Sequence, residues 1–328
     1  MNTAKTVVLP QQPNGAFLRK LAVFIVAAII LVAAPYVVYP VFLMKALCFA
    51  LFACAFNLLI GYGGLLSFGH AAFFGSAAYV CGYAARDLGL TPELSILVGT
   101  AGAALLGFVI GAIAIRRHGI YFAMVTLALA QMVYFFAVQA PVTGGENGMQ
   151  GIPRGFLFGV IDLNNTLAMY AFVVVVFLIG IAILHRAVQS PFGQTLKAIR
   201  DNENRAISLG YDANRYKHLA FVLSSAIAGL AGATKALVFQ LASLTDVHWT
   251  MSGEVVLMTL IGGLGTTFGP VVGAFVLVAL QTYLAESGSW VMAIQGATFI
   301  ICVLMFREGI VGAVKKILPT DPVPEARG

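Results

Sequence analysis

Charged residues are scarce in this chain: Asp, Glu, Lys and Arg make up 10% of its 328 residues, whereas hydrophobic residues make up 60%. A soluble domain contains about 25% charged residues, so the composition excludes an ordinary water-soluble core and predicts a polytopic membrane protein. The net charge is +6, but no soluble module with a basic face is present. Nucleic acid is therefore not an expected partner.

Cysteine is also scarce, and its spacing argues against metal or redox chemistry. The four cysteines lie apart in apolar runs, and none forms a C-x-x-C pair. They are Cys48, Cys54, Cys81 and Cys302. We interpret them as small buried hydrophobic residues. The sequence predicts no catalytic residue, no metal site and no cofactor, and hence a protein that is not an enzyme.

Long apolar runs dominate the chain. An uncleaved first membrane helix is predicted at 21–38, because the apolar region of a signal peptide is usually shorter, about 7 to 15 residues. Seven further runs lie at 43–60, 70–85, 94–115, 120–140, 167–184, 219–241 and 290–306. The tract 255–285 is interrupted by GGLGTTFGP, and counting it as two more segments gives ten in all. The predicted fold is all-α, with about 8 to 10 membrane segments, some of them broken or re-entrant.

Basic residues concentrate in alternate connections. Fifteen of the nineteen Lys and Arg residues fall on one side of the membrane under a single alternating topology. The positive-inside rule then puts both termini and the 185–218 loop in the cytoplasm, and the 141–166 loop outside. Both ends of 255–285 also lie outside, so this tract should enter the membrane and return. The predicted organisation is a cytoplasmic tail at 1–20, a membrane domain at 21–306 and a second cytoplasmic tail at 307–328.

Two glycine-rich breaks form an internal repeat. LIGYGGLLSFG at 59–69 resembles LIGGLGTTFG at 260–269, with one gap. Matched glycine-interrupted segments in two halves of a transporter indicate a translocation pathway, although close helix packing through small residues is the alternative. Whether the two halves are parallel or inverted stays open. The candidate pathway residues are Gly61, Gly63, Gly64, Ser67, Gly69 and His70 in the first break and Gly262, Gly263, Gly265, Thr266 and Thr267 in the second.

Other polar residues inside the apolar runs carry structural expectations. A lone histidine such as His70 is more often a hydrogen-bonded structural residue than a proton carrier. Lys45 and Lys235 lie near predicted span ends, and we expect their ammonium groups to extend to the membrane surface. Interhelical hydrogen bonds are expected for Asn57, Gln131 and Gln281.

The polar stretch 185–218 is too long for a simple turn. Pro191 and Gly193 stand at the start of a predicted short amphipathic helix, and Gly210 stands at its end. Such a helix can lie on anionic lipid, or it can dock on a cytoplasmic partner, and we favour docking. The residues assigned to docking are Pro191, Phe192, Gly193, Leu196, Arg200, Glu203, Arg205, Ala206 and Gly210.

Four stretches together resemble a transporter family. They are NLLIGYGGLLSFGHAAFFG at 57–75, TGGENGMQGIP at 143–153, SPFGQTLKAIRDNENRAISLGYDANRYKHLAFVLSSAIAGLAGA at 190–233 and LIGGLGTTFGPVVGA at 260–274. In this order they are similar to the LivM-type permease of bacterial branched-chain amino-acid ABC importers. Glu203, Ala206 and Gly210 fit the coupling loop of ABC permeases, whereas Asn204 and Arg205 stand where alanines are usual.

The resemblance implies a function and an assembly. Because the chain has no G-x-x-x-x-G-K-[ST] motif, the implied partners are two cytoplasmic ATPase subunits, a second related permease and a periplasmic binding protein, besides membrane lipid. The implied function is to move branched-chain or other neutral amino acids across the bacterial inner membrane. Urea or short amides are alternative substrates within the same family. An ion-coupled secondary transporter is the alternative from another class, but no acidic residue lies at the centre of a predicted span.

Overall fold

The computed structural model describes residues 34–284 and the short stretches 293–294, 296–297, 300 and 309–312. Four predicted segments lie wholly or largely outside the described residues: 1–20, 21–38, 290–306 and 307–328. Within the described part, the α-helices are α1 (Pro40–Asn57), α2 (His70–Arg86), α3 (Pro92–Ala114), α4 (Ile120–Gln139), α5 (Thr166–Gln189), α6 (Pro191–Asp201), α7 (Glu203–Ser208), α8 (Ala213–Phe239), α9 (Trp249–Gly262) and α10 (Gly269–Tyr283). A π-helical turn, Leu58–Tyr62, extends α1.

Five of these helices are long and apolar enough to cross a membrane: α1 with its extension, α3, α4, α5 and α8. Helices α9 and α10 have 14 and 15 residues, so each reaches only about 22 Å, less than the ~30 Å of a hydrocarbon core. Every predicted apolar segment that falls within 34–284 is a helix there. The prediction of an all-α polytopic membrane protein is confirmed.

Local sequence signals explain where several helices begin. Pro40 and Pro92 stand in the first turns of α1 and α3, where a missing backbone N–H costs no hydrogen bond. Asn165 before α5 and Asp212 before α8 each accept a hydrogen bond from a backbone N–H of the first turn. These boundaries therefore follow from residues close in sequence.

The centre of the bundle consists of α1, α2 and α8, and 13 of the 17 residues of α2 are buried. In their most apolar windows, 89% of the residues of α1 and 72% of those of α8 are buried, against 33% in α3 and 28% in α4. Small residues allow close helix contacts: a side chain at Gly107 would collide with Ser225, and one at Gly232 would collide with the carbonyl of Phe74. The outer helices instead expose large apolar side chains such as Phe108, as lipid-facing helices require.

Helices α9 and α10 form an antiparallel hairpin. A side chain at Gly262 would meet the carbonyl of Gly269, and one at Gly273 would meet the carbonyl of Met258. The paired positions run backward along α9, from Gly262 to Met258, and forward along α10, from Gly269 to Gly273. Helix α10 therefore returns along α9. The prediction that the 255–285 tract enters and returns agrees with this geometry.

The two ends of the bundle differ in charge. One end, which we call the basic end, contains the 115–119 connection, both glycine breaks and helices α6 and α7. The other, the loop end, contains the connections 87–91, 140–165 and 240–248. The charged residues of the basic end are Arg116, Arg117, Arg186, Lys197, Arg200, Arg205, Arg215 and Lys217 with Asp201, Glu203 and Asp212. Basic residues are thus in clear excess there, as the sequence pattern predicts for one side of the membrane.

The loop end contains four two-residue strands that the sequence analysis did not predict. Strand β1 (Met149–Gln150) pairs antiparallel with β4 (Leu241–Ala242), and β2 (Phe156–Leu157) pairs antiparallel with β3 (Ile161–Asp162). Two residues are too few to show the alternation that identifies a strand. The β1–β4 pair ties the long loop to the segment that follows α8.

Candidate functional site

The two glycine breaks meet at the basic end. Helices α1 and α9 run side by side in the same direction, since the hydroxyl of Thr259 lies 3.5 Å from the carbonyl oxygen of Ala53 and Asn57 reaches the loop after α9. Each helix ends in a glycine break, and each break leads into a helix that returns toward the loop end. The two repeat units are therefore parallel in orientation, which the sequence left open.

Asn57 joins the two breaks. Its amide nitrogen donates to the carbonyl of Thr266 at 2.9 Å, and its amide oxygen accepts from the backbone N–H of Gly265 at 2.9 Å. A side chain at Gly61 would lie 2.6 Å from the Gly265 nitrogen. Glycine at this position thus permits close packing between the two breaks.

The inner part of the first break faces protein. Ser67 is fully buried, and its hydroxyl accepts from the backbone N–H of Gly69 at 3.2 Å. Gly69 packs against α4, where an added side chain would lie 2.9 Å from the carbonyl oxygen of Thr126. In this conformation, these two candidate pathway residues line no open space.

His70 is a buried structural residue. Its Nε2 lies 2.9 Å from the hydroxyl of Ser224, which donates its proton to the carbonyl of Ala55 at 2.6 Å. Since that hydroxyl has only one proton, Nε2 of His70 must be the donor in its own bond. Aromatic rings surround the imidazole, Phe56 and Phe73 edge-on among them. His70 is thus hydrogen-bonded through Nε2, as expected, while its Nδ1 is buried without a hydrogen-bond partner.

Only the tips of the breaks reach the surface. Gly64 is exposed, and Gly265 to Thr267 are half-buried, whereas Gly63, Gly262 and Gly263 are buried. Gly64 and Gly265 have φ of 67° and 70°, a left-handed conformation that favours glycine. The accessible part of the candidate pathway is therefore the surface formed by Gly64 and the 264–268 turn.

The predicted amphipathic helix is two helices in the structure. Asn202 has an extended backbone (φ −157°) between α6 and α7, and its side chain accepts from the backbone N–H of Arg205. Ser190 caps the start of α6. Gly210, with φ of 90°, follows α7 as the sequence predicts for a residue that ends a helix. The prediction of one continuous helix was wrong because Asn202 also acts as a helix cap.

The apolar side of α6 and α7, which we call together the docking unit, packs against the bundle itself. Leu196, Ile199 and Ala206 are 0%, 2% and 3% exposed, and Leu196 contacts the break beside Gly63. This packing leaves Leu196 and Ala206 no apolar surface to present to another protein or to lipid. The remaining assigned residues include exposed ones, Pro191 and Arg205, half-buried Phe192 and buried Gly193.

A surface cavity opens beside α7. Its volume is about 650 Å³, and its lining is largely polar. The lining residues are His118, Asn202, Glu203, Asn204, Ile207, Tyr211, Asp212, Ala213 and Asn214. Ile207 and the nearby Leu209 are exposed apolar residues that the sequence analysis did not assign to docking.

Glu203 has an internal partner that the sequence analysis missed. Its carboxylate lies 2.6 Å from the ammonium of Lys217, whose side chain is only 6% exposed, and 3.7 Å from His118. Lys217 lies in the first turns of α8, and only the packing of α7 against α8 brings the two charges together. Glu203 therefore anchors the docking unit as well as lining its cavity.

A second group of charges lies toward the loop end. The ammonium of Lys235 is 2.5 Å from both carboxylate oxygens of Asp246, and Asp246 is 1% exposed. Lys45 lies within electrostatic range of this pair and of Glu254, to which Gln281 donates at 2.9 Å. The ammonium of Lys235 thus points toward the loop end, where Asp246 holds it within the protein, a partner that the sequence analysis did not identify.

Other expectations about polar and sulfur-containing residues can be compared with the structure. Gln281 of α10 forms an interhelical hydrogen bond with Glu254 of α9, as predicted. Asn57 instead bonds to the turn between α9 and α10, and no interhelical bond of Gln131 is found among the described residues. The free cysteines at 48, 54 and 81 are buried, as predicted. Within the described part of the chain, no group of His, Cys, Asp and Glu side chains is placed to hold a metal ion.

The described helices define a polytopic membrane protein. A family described as "Branched-chain amino acid transport system / permease component" matches residues 40–303. The chain belongs to this family.

Three curated relatives share this similarity. The "High-affinity branched-chain amino acid transport system permease protein LivM" of Escherichia coli is 25% identical over 278 residues, which cover 77% of this chain and 65% of the relative. The "Probable branched-chain amino acid transport permease protein LivM" of Methanocaldococcus jannaschii is 29% identical over 199 residues, which cover 56% of this chain and 54% of the relative. The probable permease protein LivH of the same archaeon is 26% identical over 120 residues, covering 37% of each chain. The chain thus spans less than two thirds of the length of each relative.

Proposed function

We propose that this chain is a permease subunit of a bacterial ABC importer for branched-chain or other neutral amino acids. Separate ATPase subunits supply the energy, and a periplasmic binding protein supplies the substrate. Family membership and the printed names of the relatives support the transport of branched-chain amino acids. The similarity to both LivM and LivH proteins supports a second, related permease as partner.

The observation that carries the proposal is the construction of the docking unit. Its apolar side is buried against the bundle, so the unit is firmly attached to the membrane helices. Its outer side presents Ile207 and Leu209 around a polar cavity of about 650 Å³. A helix that only lay on lipid would direct its main apolar side toward the membrane. The arrangement suits a soluble protein that binds at the basic end and pushes on the bundle.

The basic end is cytoplasmic in this proposal, and the loop end is periplasmic. The excess of Arg and Lys at the basic end supports this orientation through the positive-inside rule. Both chain termini are then cytoplasmic, and the membrane is the bacterial inner membrane. The 141–166 loop faces the binding protein, with Glu146 and Asn147 exposed at its tip.

The pathway runs past the exposed tips of the two breaks, and the second permease completes it. Gly64 and the 264–268 turn offer backbone groups and the hydroxyl of Thr267, whereas the Thr266 hydroxyl is bonded within the turn to Gly263 and Gly269. These are weak polar contacts, as a passage site needs, and the affinity for substrate belongs to the binding protein. ATP binding in the ATPases displaces α6 and α7, and this displacement tilts α5 and α8, to which the docking unit is directly joined.

Urea and short amides remain alternative substrates, because neutral polar solutes suit the same contacts. An ion-coupled secondary transporter is less well supported. Such a transporter needs a carboxylate that can bind and release an ion. The buried carboxylate of Asp246 does not suit this role, because it is held by Lys235. Co-purification of the chain with an ATPase subunit supports the importer. Uptake by the chain alone in liposomes, driven by a proton gradient without ATP, would overturn it.

The variant Gly210→Trp tests the docking surface. An added side chain at Gly210 meets nothing within 4 Å, so the indole would project from the surface where an ATPase binds. We expect loss of substrate-stimulated ATP hydrolysis in the reconstituted complex, with the permease still in the membrane. The matched control is Gly89→Trp at the loop end, which shares the positive φ (62°) and the open surroundings. Equal stimulation in both variants, with the subunits associated, would remove α6 and α7 from coupling.

Thiol labelling tests the orientation. A cysteine at Asn147 should react with an impermeant reagent added from the periplasmic side, and a cysteine at Gln194 should react only from the cytoplasmic side. Both positions are exposed, whereas the native thiols at 48, 54 and 81 are buried. Labelling of Asn147→Cys from the cytoplasm alone would reverse the proposed topology.

A further inference from the structure

We propose that Arg200 is the positioning residue that transmits movement of the docking unit to both glycine breaks. This inference rests on the proposed function, because it assumes that an ATPase moves α6. Sequence analysis assigned Arg200 only to docking. In the structure its side chain is 38% exposed, but its guanidinium reaches the backbone of the first break.

The contacts of Arg200 divide its guanidinium between two groups. Nη1 donates to the carbonyl of Gly61 in the first break at 2.5 Å. Nε and Nη2 both donate to one carboxylate oxygen of Asp201, at 3.0 Å and 2.8 Å. A guanidinium is planar and rigid, so the bond to Asp201 fixes the plane of the group and directs Nη1 at Gly61.

The position of Arg200 also suits the electrostatics of the two breaks. Helix α1 with its extension ends at Tyr62, and α9 ends at Gly262. Each helix end carries a partial negative charge of about half an elementary charge. Gly61 and Gly265 lie against one another, and an atom added at Gly265 would be 4.0 Å from Nη1 of Arg200. The positive charge of Arg200 therefore faces the carboxyl-terminal ends of both α1 and α9.

Gly64 in the first break makes room for this arginine. An added side chain at Gly64 would lie 2.8 Å from Cγ of Arg200. The aliphatic part of Arg200 thus packs directly on the backbone of the break. The GYGG motif thus has the role of accommodating the side chain of Arg200. This role is separate from lining a pathway and from packing helices within the membrane.

A short series of contacts follows from these bonds. Helix α6 holds Gly61 through Arg200, the first break holds the second through Asn57, and the second break forms the turn of the α9–α10 hairpin. A shift of α6 cannot leave the Gly61 carbonyl in place while the Arg200 bond persists. The docking unit, both breaks and the hairpin turn should therefore move together.

The test uses the complete importer in liposomes, with its ATPase subunits and binding protein, and leucine as the transported probe. The measured quantity is leucine transported per ATP hydrolysed. We expect Arg200→Gln to assemble and hydrolyse ATP but to lower this ratio at least five-fold. The matched control is Arg186→Gln, the same change at an exposed arginine of the basic end, which should keep the wild-type ratio. A merely structural role would lower assembly and hydrolysis together and leave the ratio unchanged.

The variant Arg200→Lys provides the test if Arg200→Gln assembles poorly. Lysine keeps the charge and the aliphatic stem but lacks the rigid fork that reaches Asp201 and Gly61 at once. We expect a two- to three-fold lower ratio, and a wild-type ratio in an assembled Arg200→Lys complex would overturn the inference. If the wild-type chain binds no ATPase subunit, the proposed function fails instead. The two failures are therefore distinguishable.

Discussion

The basic end and the loop end are held together by different kinds of bonds. At the basic end, side chains reach the backbone of segments far away in sequence: Arg200 binds Gly61 and Asn57 binds Thr266, over 139 and 209 residues. At the loop end, Arg154 likewise donates to the carbonyls of Leu237 and Val238, over 83 and 84 residues, but backbone pairs such as β1–β4 and turns with left-handed glycines are added. In our proposal, the basic end transmits a displacement between elements, and the loop end presents a surface.

Each end also contains a buried lysine paired with a carboxylate. At the loop end, the side chains of Lys235 and Asp246 are 12% and 1% exposed. At the basic end, Lys217 is 6% exposed but its partner Glu203 is 28% exposed. Water can thus reach one carboxylate and not the other, and the two pairs should respond differently when the lysine is removed.

The largest effect is expected for Lys235→Met. Removing one partner of a buried ion pair leaves an uncompensated charge and costs about 3 to 5 kcal/mol. Thermal unfolding in detergent should show a large loss of stability or of folded protein. The double variant Lys235→Met with Asp246→Leu should recover much of it. A stability equal to wild type in the single variant would show that Asp246 is not buried as described.

A smaller effect is expected for Asn57→Leu, which separates the two breaks. The change leaves the N–H of Gly265 and the carbonyl of Thr266 without their partner, and each unmade buried hydrogen bond costs about 1 to 3 kcal/mol. We expect a loss of about 2 kcal/mol, measured by thermal unfolding. The control Asn164→Leu, at an exposed position of the loop end, should change stability by less than about 0.5 kcal/mol. Equal effects would contradict the bridging role.

Lys217→Met should cost less than Lys235→Met, about 1 to 2 kcal/mol, because the carboxylate of Glu203 keeps water and His118 as partners. The same unfolding measurement compares the two variants directly. Glu203→Lys would place two lysines together, so it would disturb the chain itself as well as docking. Glu203→Gln is therefore the cleaner variant for docking assays. A larger loss for Lys217→Met than for Lys235→Met would reverse the comparison of the two ends.

The smallest effect is expected for Gly89→Ala at the loop end. The residue has a φ of 62° and open space around it, so only the left-handed backbone opposes alanine, at about 1 kcal/mol. Gly64→Ala should cost more, since its methyl group would also displace Arg200. Thermal unfolding of both variants checks the order. Similar losses would mean that the contact between Gly64 and Arg200 adds nothing.

Sequence alone determined the membrane class, the apolar helices of the described part and the concentration of basic residues at one end. These features depend on composition, on apolar run length and on residues next to one another, such as Pro40 and Pro92 in first turns. The two breaks and the hairpin were predictable for the same reason, because glycine marks irregular backbone locally. The family resemblance added the expected function, which no local signal contains.

Tertiary structure alone decided which predicted residues face solvent, protein or each other. The burial of Leu196 and Ser67, the Lys217–Glu203 pair and the parallel course of α1 and α9 depend on how distant helices pack. The direction of Arg200 is the clearest case, since its partner Gly61 lies 139 residues earlier in the chain. Periodicity shows which residues share a helix face, but it cannot show what that face meets, because that depends on packing between segments far apart in the chain.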